Sequence, residues 1–287
     1  MPVETLPPAV WRPRAAAHAA RVAPYVEPHL ARRRAGERHP VHDFLFSYYS
    51  QRPAQLMHWH PGAGFALEDA AEYDELKGYS QGRVSASYVA TQRPLVESIH
   101  TLLSATASRP AHTGCFGLHE WAMVYRAGET RHPQPLRLGA TGTDTVVEQH
   151  RIGCSHFDAF RFFTDEARPR NALSPGPGDR PAFEQPGCLH AGMDLYKHAF
   201  RLTPLVCSDL VADCFELAWD IRILDMRAAP YDLTGLTLDP TGEPWAPVEI
   251  ETPEGKQEYV VQQKIFAERG QLLRVALISE CRRLLGQ

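Results

Sequence analysis

Three short units in this chain each carry a thiol, an imidazole and a carboxylate. They are Gly114-Cys115-Phe116-Gly117-Leu118-His119-Glu120, Gly153-Cys154-Ser155-His156-Phe157-Asp158 and Gly187-Cys188-Leu189-His190-Ala191-Gly192-Met193-Asp194. Each stands where turn residues give way to an apolar, helix-like run, so each is expected to set its Cys and His at the start of a helix. Unpaired N–H groups and partial positive charge at such a start favour a thiolate and attract anions. Three such units imply that separate parts of the chain converge on one polar site.

Two chemistries follow from these residue types. Thiolate and neutral imidazole suit zinc or iron, and Cys154, His156 and His190 are the candidate ligands; His190, Asp194 and His198 also repeat at four-residue steps along one helical face. The chain lacks the close cysteine pair of an ordinary structural zinc site. The second chemistry is carboxylate catalysis in an aromatic pocket. Glu120 and Asp158, with His119 and His156, are the candidate catalytic groups, and Trp121, Tyr125, Tyr48, Tyr49 and Asp43 the candidate substrate-binding ones. Aromatic faces can hold a nucleobase by stacking while a carboxylate activates water. Phe44, Phe46, Phe160 and Phe163 are expected to be buried packing. Nucleophilic attack by Cys154 or Ser155 beside His156 ranks lower, because neighbours in sequence rarely point at one another.

The elements that would hold these groups read as helices. Leu95, Val96, Ile99, Leu102 and Leu103 recur at helical spacing behind Pro94, and Ser208 opens a helix with the stripe Leu210, Cys214, Leu217, Ile221 and Leu224. Thr252-Pro253 starts a last segment that runs to the C-terminus and is interrupted at Gly270. Further helices are expected near 10–34, 41–58, 118–126, 156–166 and 190–201, with short strands at 135–138, 145–149 and 248–250. The fold class is therefore mainly α: a single compact helical domain with a few short strands and long Pro-rich loops. The loop at 168–187 holds Pro169, Pro175, Pro177, Pro181 and Pro186 and leads into Cys188, where it is expected to cover the site.

At 287 residues, 44% hydrophobic and 22% charged, the chain can bury a sizeable core. No apolar run approaches the ~18 residues of a membrane helix, and the Met1-Pro2-Val3-Glu4 start lacks signal-peptide character, so a cytoplasmic protein with reduced cysteines and no membrane partner is expected. The net charge of −4 is unevenly spread, with seven arginines against three acids in residues 1–38. That segment reads as a basic N-terminal helical arm ahead of a domain at 39–287. Its Arg32, Arg33 and Arg34 are candidate phosphate contacts, or else a solvated helix end. Asp213, Glu216 and Asp220 form an acidic stripe on one helical face, for which Arg222 and Arg227 are the expected counter-charges.

The strings HPVHDFLFSYY from His39, RIGCSHFDAFRFFTDEARPRNAL from Arg151, EQPGCLHAGMDLYKHAF from Glu184 and DCFELAWDIRILDMRAAPYDL from Asp213 resemble an actinobacterial family labelled 3-methyladenine DNA glycosylase. The resemblance covers most of the chain. It implies DNA as partner, hydrolysis of the N-glycosidic bond of an alkylated base flipped from the duplex, a role in DNA repair, and no required cofactor. The alternative is a metal-dependent oxidoreductase or hydrolase, with zinc or iron, acting on a small molecule. A third reading is a nucleic-acid-binding protein that uses only the N-terminal arm.

Overall fold

The computed structural model describes residues 3–49, 51–130 and 132–287. Its helices are α1 (Pro8–Ala35), α2 (Phe44–Ser47), α3 (Pro53–Met57), α4 (Ala71–Asp74), α5 (Ala86–Thr91), α6 (Arg93–Ala107) and α7 (Leu118–Ala122). They continue with α8 (Gly139–Gln149), α9 (Phe157–Phe160), α10 (Arg180–Phe183), α11 (Leu189–Arg201), α12 (Ser208–Arg227) and α13 (Pro253–Leu285). The architecture is mainly α. A small sheet in the order β1-β2-β4-β3 joins β1 (Glu4–Leu6) in parallel to β2 (Phe65–Leu67) and adds the β3 (Tyr79–Ser80) and β4 (Arg83–Val84) ribbon; β5 (Thr237–Leu238) pairs with β6 (Glu243–Pro244). No helix among the described residues is long and apolar enough to cross a membrane.

The centre of the molecule is the α11–α12 pair, with α13 packed against both helices and α6 packed on α13. Helix α12 buries Val211, Cys214, Phe215, Leu217, Trp219, Ile221 and Leu224 on almost every side. A helix apolar all round belongs in a core. Its one wet stripe is the acidic one, and the counter-charges differ from those expected. Arg21 of α1 bridges Asp213 at 2.6 Å and Glu216 at 2.7 Å, while Arg269 of α13 meets Asp220 at 2.6 Å. Arg222, two residues beyond Asp220, faces another direction and pairs with Asp225, while Arg227, two turns further along the helix, pairs with Glu258.

Residues 3–38 pack onto the rest of the chain. Helix α1 buries Trp11, His18, Val22, Val26 and His29, and β1 ahead of it pairs with β2. Three of its six arginines make internal ion pairs: Arg12 with Glu72, Arg21 with the α12 stripe, and Arg32 with Asp43 at 3.1 Å and Asp239 at 2.6 Å.

The expected strands are replaced by other structure. Residues 145–149 lie within α8, where Thr143, Val146 and Val147 are buried at helical spacing, so packing overrides the β-propensity of Thr and Val. At 135–138 only Leu136 makes an isolated bridge, to Tyr231, and 248–250 is a loop. Long helices expected at 41–58 and 156–166 shrink to the short α2, α3 and α9.

Gly270 does not interrupt α13. It is buried where this helix crosses the central pair, and a Cβ there would sit 3.6 Å from Leu217 and 3.7 Å from Leu195, ordinary contact distances. Gly255, at the other end, has no such room: a Cβ would come within 2.1 Å of the Glu249 carbonyl oxygen. In urea denaturation Gly270→Ala is therefore expected to stabilise the protein by about 0.5–1 kcal/mol. Gly255→Ala is expected to destabilise it by about 1–3 kcal/mol.

Candidate functional site

The three Gly-Cys units do lead into helix starts, and the fold brings them together. Gly117 is the N-cap of α7, His156 that of α9 and Cys188 that of α11. Cys115, Cys154 and Cys188 line one cavity of about 10 Å³, which His119, His190 and Gln263 also border. That is room for a single water-sized body. The six cysteines are free. Burial pushes the Cys188 thiol up to about 12 and holds that of Cys154 well above its ordinary value, so both are neutral at physiological pH.

Two buried carboxylates organise the surroundings. Asp225 of α12 is fully buried; its Oδ1 accepts from His119 Nε2 at 2.9 Å and its Oδ2 from Arg222 at 3.1 Å. Burial pushes His119 down, but the Asp225 carboxylate outweighs this and holds the ring well above its ordinary value. Asp194 of α11 accepts from Tyr49 Oη at 2.9 Å, Arg180 at 2.5 Å and Lys197 at 3.3 Å, and lies 3.5 Å from His156 Nε2. Burial would raise its carboxyl; His156, Lys197 and Arg180 together hold it well below the carboxylate range. Arg180 reaches this site from the Pro-rich loop and also clasps Glu184, so the loop is pinned over the site by charge.

Among the described residues, two groups bring three ligand atoms within 4.8 Å of one another: His119, His190 and Asp225, and His156, Glu184 and Asp194. Cys154 belongs to neither, so the expected trio Cys154, His156 and His190 is not assembled. In both groups the carboxylates already hold guanidinium groups, so a metal ion would share them with Arg222 or Arg180.

Beyond His190 lies a second cavity, an aromatic cleft lined by Phe44, Tyr48 and Phe162 with Glu120, Asp158 and Arg222. Phe44 and Tyr48 stack at 4.7 Å with rings 10° apart, and the Arg222 guanidinium covers Phe44 at 4.1 Å. Glu120 is buried with an oxygen 3.6 Å from Arg222. Burial favours a neutral Asp158, but Lys197 at 3.1 Å outweighs it and keeps the carboxyl below its ordinary range. His190 is pushed down to about 3, by burial first and by the neighbouring His119 second, so it is an uncharged imidazole at the boundary between the two cavities.

Tyr48 and Asp158 also border an open groove with Arg161, Lys197 and Arg201, which meets at Gln51 a further groove holding Arg33, Arg38 and Arg52. Sequence reasoning missed Arg161, Arg201 and Arg52, which are scattered singly along the chain.

Several expected site residues are placed elsewhere. Trp121 and Tyr125 are fully buried, Trp121 donating to the Ala228 carbonyl oxygen and Tyr125 to Glu148; neither has a face to stack on a ligand. Asp43 accepts from His29 at 2.8 Å and from Arg32 and the His39 backbone, so it is structural. Arg32 is consumed by two ion pairs, and of the three consecutive arginines only Arg33 borders the groove. His119 faces the thiol cavity rather than the cleft, and His156 is buried between the two acids Glu184 and Asp194. Tyr49 lines the open groove while supporting Asp194. Phe46, Phe160 and Phe163 are buried packing, whereas Phe44 is half-buried and lines the cleft.

The chain matches no protein-family model, no curated protein and no solved structure.

Removing Asp194 takes away the buried carboxylate that Tyr49, Arg180 and Lys197 share, leaving Arg180 with Glu184 and Lys197 with Asp158. Asp194→Ala is expected to cost about 3–5 kcal/mol in urea denaturation at neutral pH. Because the folded carboxyl lies below the free value of 3.8, the contribution is intact above that pH and lost as pH falls from there through the folded value. The gap between wild type and variant should therefore close only in strong acid.

Proposed function

We propose that the chain hydrolyses the N-glycosidic bond of a modified base in nucleic acid. The observation that carries this reading is the join at Tyr48 and Asp158 between an aromatic cleft with two carboxylates and a track of exposed cations. The aromatic walls suit a flat heterocycle taken out of its stack. Asp158, ionised at neutral pH and set at the mouth of the cleft, would activate water or stabilise positive charge developing on the sugar. Glu120 and Arg222 would bind polar edges of the base, and neutral His190 can donate or accept a hydrogen bond. Arg161 and Arg201, then Arg52, Arg33 and Arg38, would follow phosphates away from the cleft.

Incubation with methylated duplex DNA, followed by chromatography of released bases, is the direct test. Free base is expected from the wild type, and Asp158→Asn should slow release by about 10²–10⁴-fold. Arg161→Ala and Arg201→Ala should weaken DNA binding across sequences and each lower the salt slope by about 1. Release from neither duplex nor single-stranded methylated DNA would defeat the proposal.

A further inference from the structure

We propose that Cys115 is the nucleophile of a Cys115–His119–Asp225 triad that reduces small hydroperoxides in the thiol cavity. The alignment carries it. Cys115 Sγ lies 3.6 Å from His119 Nδ1, and the opposite nitrogen of the same ring holds Asp225 Oδ1 at 2.9 Å. A carboxylate that fixes the ring and stabilises imidazolium, with a thiol at the other nitrogen, is the arrangement of an activated nucleophile. The triad is drawn from two separate elements, the turn into α7 with its first turn and the last turn of α12, and Arg222 anchors the carboxylate from behind.

The backbone at this thiol is unusual in the way such sites often are. Phe116, directly after Cys115, has φ of 50° and Gly117 has φ of 72°, so the chain turns sharply between the thiol and its helix. For a bulky aromatic residue the left-handed region is costly and persists only where the surroundings impose it. Cys115 itself is half-buried and therefore reachable, unlike Cys154.

The cavity selects the electrophile. Its volume of about 10 Å³ excludes an acyl or glycosyl group and suits a ligand of one or two heavy atoms. Gln263, 1% exposed, donates its amide to the Gly187 carbonyl oxygen and leaves Oε1 without a partner at the wall of this cavity. A ligand with an O–H donor would satisfy that acceptor, and a hydroperoxide supplies both the donor and an electrophilic oxygen. Cys115 sulfur attacks one peroxide oxygen, the S–O bond forms and the O–O bond breaks. With hydrogen peroxide, the hydroperoxide of two heavy atoms, the leaving hydroxide takes from His119 Nδ1 the proton that the thiol gave up. The products are a cysteine sulfenic acid and water, the sulfur being oxidised and the peroxide reduced.

Hydrogen peroxide added to the purified full chain with a sulfenic-acid trap, read by peptide mass spectrometry, tests this. Adduct is expected at Cys115 first, at least about tenfold faster than at Cys207, the half-buried thiol outside the cavity, and His119→Gln should remove most of that advantage. Gln263→Leu should slow the peroxide reaction while leaving the far-ultraviolet circular dichroism and the urea midpoint close to wild type, a combination that a general loss of structure would not give. If His119→Gln fails to fold, the wild-type contrast between Cys115 and Cys207 decides alone. Equal rates at the two thiols, or first oxidation at Cys154 or Cys188, would overturn the proposal.

Discussion

A carboxylate sealed from water must be surrounded by donors, and two such groups, Asp194 on α11 and Asp225 on α12, dictate what can stand around the centre of this protein. Asp225 draws in His119 from the first Gly-Cys unit and Arg222 from its own helix. Asp194 draws in Tyr49, Lys197, His156 of the second unit, and Arg180 of the loop that precedes the third. The apolar pair α11–α12 supplies rigid positions, and the two acids then fix which loops close over them.

The same constraint separates two chemical environments a few side chains apart. On one side the thiols of Cys115, Cys154 and Cys188 face a small closed space; on the other Phe44, Tyr48 and Phe162 face a cleft that opens to cations. His190 borders both, with its ring 4.6 Å from His119 and 5.4 Å from His156. Kept neutral by burial, it adds no charge to a region where Arg180, Arg222 and Lys197 are paired with the acids.

Much of the fold was legible in the chain. The stripes at Val96–Leu103 and Leu210–Leu224 and the cap at Thr252 mark the long helices α6, α12 and α13 within a few residues, because periodic burial and capping are local signals, although Ser208 proves to be the first residue of α12 and Cys207 its N-cap. The short sheet escaped notice because a strand of two or three residues has no period to read, and its partners lie far apart in sequence: Glu4 pairs with Phe65. Gly270 misled for a related reason. A glycine in a helix looks like a break, but packing of α13 against Leu217 and Leu195 holds the helix continuous through it.

Sequence alone determined that three thiol–imidazole–acid units would begin helices and that aromatic residues would lie near Glu120 and Asp158, since residue type and spacing carry that information. Only the tertiary structure decided roles. It buried Trp121 and Tyr125, enlisted Arg32 and Asp43 in internal ion pairs, and gave the nearest acid to His119 as Asp225, more than a hundred residues away. Ion pairs and buried hydrogen bonds act over a few ångströms between segments that the chain order does not connect, so which charge meets which is settled when the helices pack.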